Sequence, residues 1–481
     1  MSAMAAAVDI RIPAMAGQTI AVLGLARSGL SSARTLQASG ASVWAWDDNP
    51  KSRDEAKAAG IPLVDLAGVD WSKPAALVLS PGIPHTFPKP HPVAALATAR
   101  RCPIIGDIEL MARAGLGARF IGITGTNGKS TTTALIGHIL RSAGMRAEIG
   151  GNLGTPALEL ALLGKDGVYV LEMSSYQLEL THTLAFDVAV LLNITPDHLD
   201  RHSGMDGYVA AKTRIFESQH ASQTAVIGID DEHGRAARAR FTAAGQQTVI
   251  PISGEGPVAG GVYAHDGWLH DDRAGKTERV LRLADATSLL GKHNWQNAAA
   301  AFAACSAIGL AKAKIVAGIT SYPGLAHRQE LIATIGDVRY INDSKATNAD
   351  ATAKALACYQ PIYWILGGRA KETGLDGLEP FYPRIAHAFL VGEASERFAV
   401  ALEGRVACTK CGTIAAALAA AHRQAQDERK PGAVVLLSPA AASFDQFANF
   451  EERGEVFRKV VEALCVGPMQ ANGGAASRRM Q

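Results

Sequence analysis

The stretch that most constrains this chain is a glycine loop set between a strand and a helix. Residues 119–123 read as a buried strand. Gly125-Thr126-Asn127-Gly128-Lys129-Ser130-Thr131-Thr132 follows, and a helical pattern opens at Lys129. Glycines let backbone N–H groups wrap phosphate oxygens, and a helix N-terminus adds partial positive charge. Lys129 can reach terminal phosphates, and Ser130 or Thr131 can hold Mg²⁺. The first glycine of the general phosphate-loop pattern would fall at Ile123, so the match is imperfect. A plain glycine turn before a helix is the competing reading. Strand, loop, Lys-Ser pair and helix together favour phosphate.

Strands alternate with helices on both sides of this loop, which implies parallel, doubly wound sheets. Strands are expected at 19–23, 42–46 and 75–79, then at 168–171, 188–192 and 224–229. A last set is expected at 338–341, 362–366, 388–391 and 434–437, closed by a helix over 445–464. Residues 231–279 are polar and Gly-rich, and read as β-hairpins or an insertion. Tyr322-Pro323-Gly324 is a turn signal and a plausible hinge. The 481 residues allow about three domains. The expected fold is α/β: a Rossmann-like domain over 1–107, a central P-loop ATPase domain with a parallel sheet over 108–324, and a C-terminal Rossmann-like domain over 325–481. The tail from Gly467 is expected to fray.

Composition removes several functions. A net charge of +2 without a long basic run leaves no footprint for nucleic acid. No apolar run approaches the ~20 residues of a membrane helix, and the start lacks a secretory signal. Residues 298–311 read as a buried Ala-rich helix. Six cysteines give no disulfide framework. Cys408 and Cys411 form one CxxC without the second pair zinc needs. A cytoplasmic protein without membrane insertion is expected.

Further motifs follow the loop. Glu172 ends an apolar strand in Leu171-Glu172-Met173-Ser174-Ser175-Tyr176-Gln177, where an acid faces the ligand crevice of a parallel sheet and suits Mg²⁺. Asn193-Ile194-Thr195-Pro196-Asp197-His198-Leu199-Asp200-Arg201-His202 is dense in metal-capable side chains. Lys212, in Ala210-Ala211-Lys212, sits at the start of a helix and reads by spacing as a solvated lysine. Gly24-x-Ala26-x-x-Gly29 with Asp47 downstream imitates a dinucleotide fingerprint, although Ala26 replaces its middle glycine.

In this order and spacing, these motifs resemble the Mur ligase family, which joins amino acids to UDP-N-acetylmuramoyl precursors. The resemblance continues through His293-Asn294-Trp295-Gln296-Asn297 and Gly324-Leu325-Ala326-His327-Arg328-Gln329-Glu330. Asp343-Ser344-Lys345-Ala346-Thr347-Asn348 and the run Ser438 to Phe447 are similar to the branch that adds D-glutamate. The resemblance implies ATP, two Mg²⁺ ions, and CO₂ as a carbamate on Lys212. It implies UDP-N-acetylmuramoyl-L-alanine and D-glutamate as substrates, and a monomer is expected. It gives Lys129, Glu172, His198, Lys212 and Arg328 to catalysis, and Ser130, Glu172, His198 and Lys212 to metal. Gly125, Thr126, Asn127, Gly128, Lys129, Ser130, Thr131, Asn297, Arg328 and Asp343 would hold ATP. Ser28, Asp47, Ser80 and Gly82 would hold the uridine nucleotide, and Asn152, Ser174 and Gln177 the muramoyl-alanyl part. Thr347, Lys371, Ser443, Phe444 and Phe450 would form the glutamate pocket, with core packing an equal reading for the two phenylalanines.

The expected reaction makes an acyl phosphate, which the amine of glutamate then attacks. Closure of the third domain about a hinge near 322–325 is expected to shield that intermediate from water. The rivals are a sibling ligase or one adding L-glutamate, an NAD-dependent oxidoreductase using the first domain, and a nucleotide-binding regulator without turnover.

Overall fold

The computed structural model describes residues 9–370 and 374–466. The chain divides after Tyr322 into two units. The first unit holds two sheets. Strands β1 (Thr19–Leu23), β2 (Ser42–Trp46), β3 (Ala76–Leu79) and β4 (Ile104–Ile105) form a four-stranded parallel sheet in the order β2-β1-β3-β4. Ile20 to Leu23 are all buried, because parallel strands with helices on their faces have no solvent side. Gly24 turns the chain at φ +88° into the helix Arg27–Ala38. A Cβ on Gly29 would lie 1.7 Å from the Gly24 carbonyl, so only glycine lets that helix begin so close to the strand end.

The second sheet has nine strands: β5 (Arg119–Thr124), β6 (Ala147–Gly151), β7 (Val168–Glu172), β8 (Val188–Leu191), β9 (Thr224–Gly228), β10 (Thr248–Ser253), β11 (Val262–His265), β12 (Trp268–Asp271) and β13 (Glu278–Arg282). Their order is β13-β12-β11-β10-β9-β8-β5-β7-β6. Pairing is parallel from β6 to β11, and β12 alone is reversed, antiparallel to both of its neighbours, β11 and β13. This corrects the expectation for 231–279. Its first part is the helix Glu232–Ala244, capped by Asp231 onto Gly234 N, followed by a strand that extends the parallel sheet. Hairpin pairing is confined to β11–β13. The helix Lys292–Ala307 buries residues 298–305 completely but stops short of the expected 311, where Gly309 turns the chain at φ +87°.

The second unit carries β14 (Glu330–Ile335), β15 (Val338–Asn342), β16 (Ile362–Gly367), β17 (Ile385–Val391), β18 (Cys408–Gly412) and β19 (Val434–Leu437), in the order β14-β15-β19-β16-β17-β18. All pairs are parallel except β14–β15. The two edge strands were not legible as strands: β14 buries little, and β18 is Cys-Thr-Lys-Cys-Gly. Cys408 and Cys411 are free thiols on that edge. The last helix spans Phe450–Val466 rather than starting near Asp445, because residues 443–447 form turns that return N–H groups to the Ser443 carbonyl. The Gly467 tail lies outside the described residues.

Candidate active site

The loop from Gly125 to Thr132 leaves β5 and is braced from three directions. Asn193, just past β8, accepts from Asn127 N at 2.9 Å through Oδ1 and returns Nδ2 to the Asn127 carbonyl at 3.2 Å. Thr126 Oγ1 donates to the Thr195 carbonyl at 3.0 Å. Asn297 Oδ1 accepts from Thr132 Oγ1 at 3.1 Å, and Asn297 Nδ2 donates to Asn294 Oδ1 at 3.0 Å. Gly128 sits at φ +86°, and a Cβ there would come within 2.4 Å of Asn297 Oδ1. Glycine at 128 therefore leaves room for the Asn297 side chain against the loop. Ser130 is 7% exposed at the first turn of the helix Lys129–Ser142, and Thr131 is half-buried beside it.

Lys129 Nζ donates to the carbonyls of Gly125 and Thr126 at 2.8 and 2.9 Å. Lys212 Nζ donates to the same Gly125 carbonyl at 2.9 Å. Lys212 is not a solvated residue at a helix start. Gly204 opens the helix Met205–Thr213 at φ +98°, which puts Lys212 in its last turn, 1% exposed, with Nζ 4.5 Å from the Tyr208 ring centroid. Burial, reinforced by the Lys129 charge, pulls its pKa well below the ordinary lysine value, while Asp197 and Glu172 oppose the shift.

Glu172 ends β7 and is buried. Oε1 accepts from Asn152 Nδ2 at 2.7 Å, and Oε2 is buried without a partner. Ser174 and Gln177 form a capping box that starts the helix Ser175–Glu179. His198 is exposed at φ +52°, with Nε2 3.5 Å from Asp197 Oδ2 and its ring 5.3 Å from that of Tyr176. Among the described residues no group of three or more His, Cys, Asp and Glu side chains could hold a metal by itself. The orphaned, buried Glu172 oxygen nevertheless suits a hard cation that takes oxygen ligands and water.

At the first sheet a cavity of about 620 Å³ opens beside Gly24, Ser28, Asp47, Ser80 and Gly82. Asp47 spends both oxygens on backbone, from Leu25 N at 2.6 Å and Asn49 N at 2.8 Å. Ser80 Oγ donates to the Gly24 carbonyl at 3.0 Å.

In the second unit Arg328 lies between two left-handed residues, His327 at φ +63° and Gln329 at φ +44°. Asp343 follows β15. Its carboxyl accepts from Ser438 Oγ at 2.8 Å and Gln329 N at 3.1 Å, and burial pushes its pKa up to about 7. Ser443 is buried, Phe444 is 64% exposed, and Lys345 Nζ lies 3.8 Å from the Phe450 ring centroid. Thr347 N donates to the Lys345 carbonyl at 2.8 Å. Lys371 lies outside the described residues. Sequence reading missed Arg453, a fully buried guanidinium that donates to Ser344 Oγ and O at 3.0 and 2.8 Å and to the Ala441 carbonyl at 3.0 Å. It ties the Asp343–Asn348 and Ser438–Ser443 segments together, and a lone Arg in an amphipathic helix gives no signal of that.

Residues 123–305 match the Mur ligase middle domain, and residues 327–441 the glutamate ligase domain of Mur ligases. The UDP-N-acetylmuramoylalanine–D-glutamate ligase of Paramagnetospirillum magneticum is 51% identical over 95% of this chain and 99% of its own. That of a Caulobacter species is 52% identical over 93% and 97%. Among solved structures, a UDP-N-acetylmuramoyl-L-alanyl-D-glutamate–2,6-diaminopimelate ligase is similar with a TM-score of 0.56 and 19% identity over 94% of this chain and 93% of its own. A D-alanyl-D-alanyl-adding ligase from Acinetobacter baumannii gives 0.54 and 21% over 84% and 94%. These structural likenesses speak for the fold alone.

Proposed function

The chain belongs to the Mur ligase family, with the ligases that add D-glutamate to UDP-N-acetylmuramoyl-L-alanine in peptidoglycan synthesis, and from that premise we propose how its residues divide the reaction. The observation that carries the assignment is the shared Gly125 carbonyl. It gathers Lys129 and Lys212, two cationic side chains far apart in sequence, onto one phosphate-binding loop. An oxidoreductase reading of the first sheet gives neither lysine a purpose.

The loop from Gly125 to Thr131 cradles the phosphates of ATP. Lys129 exchanges its carbonyl partners for phosphate oxygens and, with Arg328, neutralises charge on the transferring group. Asn297 holds the loop open, and Asp343 accepts from the nucleotide side. Mg²⁺, held by Ser130, Glu172, His198 and a Lys212 carbamate, would supply charge neutralisation at the phosphates. Lys212 suits that modification because the reacting form is the neutral amine, which its burial favours. The ammonium first gives up one proton, and the neutral amine then adds to the carbon of CO₂ and loses a second, which turns a buried cation into an anion with two oxygens.

Ser28, Asp47, Ser80 and Gly82 hold the uridine nucleotide, and Asn152, Ser174 and Gln177 hold the muramoyl-alanyl arm. Its carboxylate attacks the γ-phosphorus and displaces ADP. Thr347, Lys371, Ser443, Phe444 and Phe450 hold D-glutamate, whose amine attacks the acyl carbon and releases phosphate. Consumption of ATP and of a UDP-linked precursor fits the cytoplasm, and no helix among the described residues is long and apolar enough to cross a membrane. The test is phosphate release from ATP and UDP-N-acetylmuramoyl-L-alanine with D-glutamate, L-glutamate or neither. Release that depends on D-glutamate is expected, and release with L-glutamate alone would move the specificity.

A further inference from the structure

Arg201 touches two regions with separate tasks. It is 9% exposed. Nη1 donates to the Phe87 carbonyl at 2.9 Å and Nη2 to the Ile83 carbonyl at 3.2 Å. Ile83 and Pro84 wall the cavity beside Gly24. Ile83 N donates to the Ser80 carbonyl at 3.0 Å, and His91 N folds the loop back onto the Pro84 carbonyl at 2.9 Å. The fork thus grips a loop that belongs to the nucleotide cavity.

The other side of Arg201 faces the catalytic turn. Its guanidinium lies over Tyr176, 5.1 Å from the ring centroid. The Tyr176 ring stands 5.3 Å from that of His198 and 5.2 Å from that of His202. His202 is fixed in turn by Ser175 Oγ at 2.8 Å and Glu179 Oε1 at 3.0 Å. Arg201 N closes the turn onto the His198 carbonyl at 3.0 Å. Burying a guanidinium is costly, and a two-carbonyl grip with a stacked ring uses the planar fork that lysine lacks.

We propose that Arg201 is a positioning residue that sets the wall of the UDP cavity and the turn carrying His198 as one piece. It acts on substrate through the Ile83–Phe87 loop and on the metal side through Tyr176. The inference rests on reading that cavity as the uridine site and His198 as a metal ligand.

The test uses the full chain. Arg201→Lys keeps the charge but cannot fork two carbonyls. Calorimetry with UDP-N-acetylmuramoyl-L-alanine alone should show Kd raised about tenfold or more. Turnover should also fall, while KM for D-glutamate holds. Binding as tight as wild type, or a lowered melting temperature with every KM moving together, overturns the proposal. Should that variant not fold, Tyr176→Leu decides. It cuts the path to His198 but leaves the carbonyl bonds, so kcat should drop with the substrate Kd unchanged, and an unchanged kcat overturns the proposal. A wild-type chain that does not bind the UDP compound would instead remove the cavity assignment beneath it.

Discussion

Asn152 and Glu172 share one hydrogen bond, Nδ2 to Oε1 at 2.7 Å, and that bond leaves Glu172 Oε2 buried with nothing to accept. An unpaired buried carboxylate oxygen costs free energy that a bound cation would recover. Glu172→Gln keeps the shape and can keep a partner for Asn152, but loses the charge. The Mg²⁺ concentration for half-maximal activity should rise about 10–100-fold, with melting temperature unchanged or raised. A Mg²⁺ titration that superimposes on wild type would detach Glu172 from the metal.

Lys129→Ala removes the side chain that spans the Gly125 and Thr126 carbonyls. Activity should fall at least ~10²-fold. Retention of full phosphate release would mean that this loop does not hold the transferred phosphate.

Gly128→Ala tests the loop from the backbone. Alanine at φ +86° costs about 1–3 kcal/mol, and its Cβ would press on Asn297 Oδ1. Loss of nucleotide binding should exceed loss of stability, because Asn297 must move to admit the methyl. Binding of a labelled ATP analogue at wild-type affinity would show that the loop opens some other way.

Asp343 gives a pH dependence whose sign follows from its burial. Its native pKa, raised to about 7, exceeds the unfolded value near 4, so the native state binds more protons between them. The resulting stability is fully present below about pH 4 and is lost as pH rises to 7, by at most a few kcal/mol. Denaturant titrations at pH 5 and 8 should show Asp343→Asn with a shallower fall than wild type. Parallel curves would mean that Asp343 titrates normally.

Legibility differed by element, for physical reasons. Buried parallel strands such as Val168–Glu172 announce themselves as apolar runs that end on a polar residue, and so the strand and Glu172 at its end could be read from the sequence. The loop from Gly125 to Thr132 is local in sequence, so its glycines and Lys129 were visible together. Lys212 was misplaced because its burial depends on Gly204 and Tyr208, and helix periodicity alone gave it a solvent face. The edge strand Cys408–Gly412 carries no alternation, and its pairing comes from β17 alone. Arg201 and Arg453 act through backbone carbonyls distant in the chain, which no spacing rule reveals.

Lys212 supplies the last prediction. A lysine 1% exposed, donating to a loop carbonyl and crowded by Lys129, holds its proton less tightly than a free lysine. Raising pH through its depressed native value should increase the fraction able to add CO₂, and carbamate should form below the pH at which surface lysines react. Enzyme freed of CO₂ at mildly acidic pH should lose activity and regain it with bicarbonate at a higher pH. Isotopically labelled bicarbonate should give one protected carbamate signal by NMR. Lys212→Arg should show neither signal nor recovery, since a guanidinium keeps its proton. If CO₂-free enzyme keeps full activity and no protected signal forms, then Lys212 works as a cation on the Gly125 carbonyl, and the metal site must be built without it.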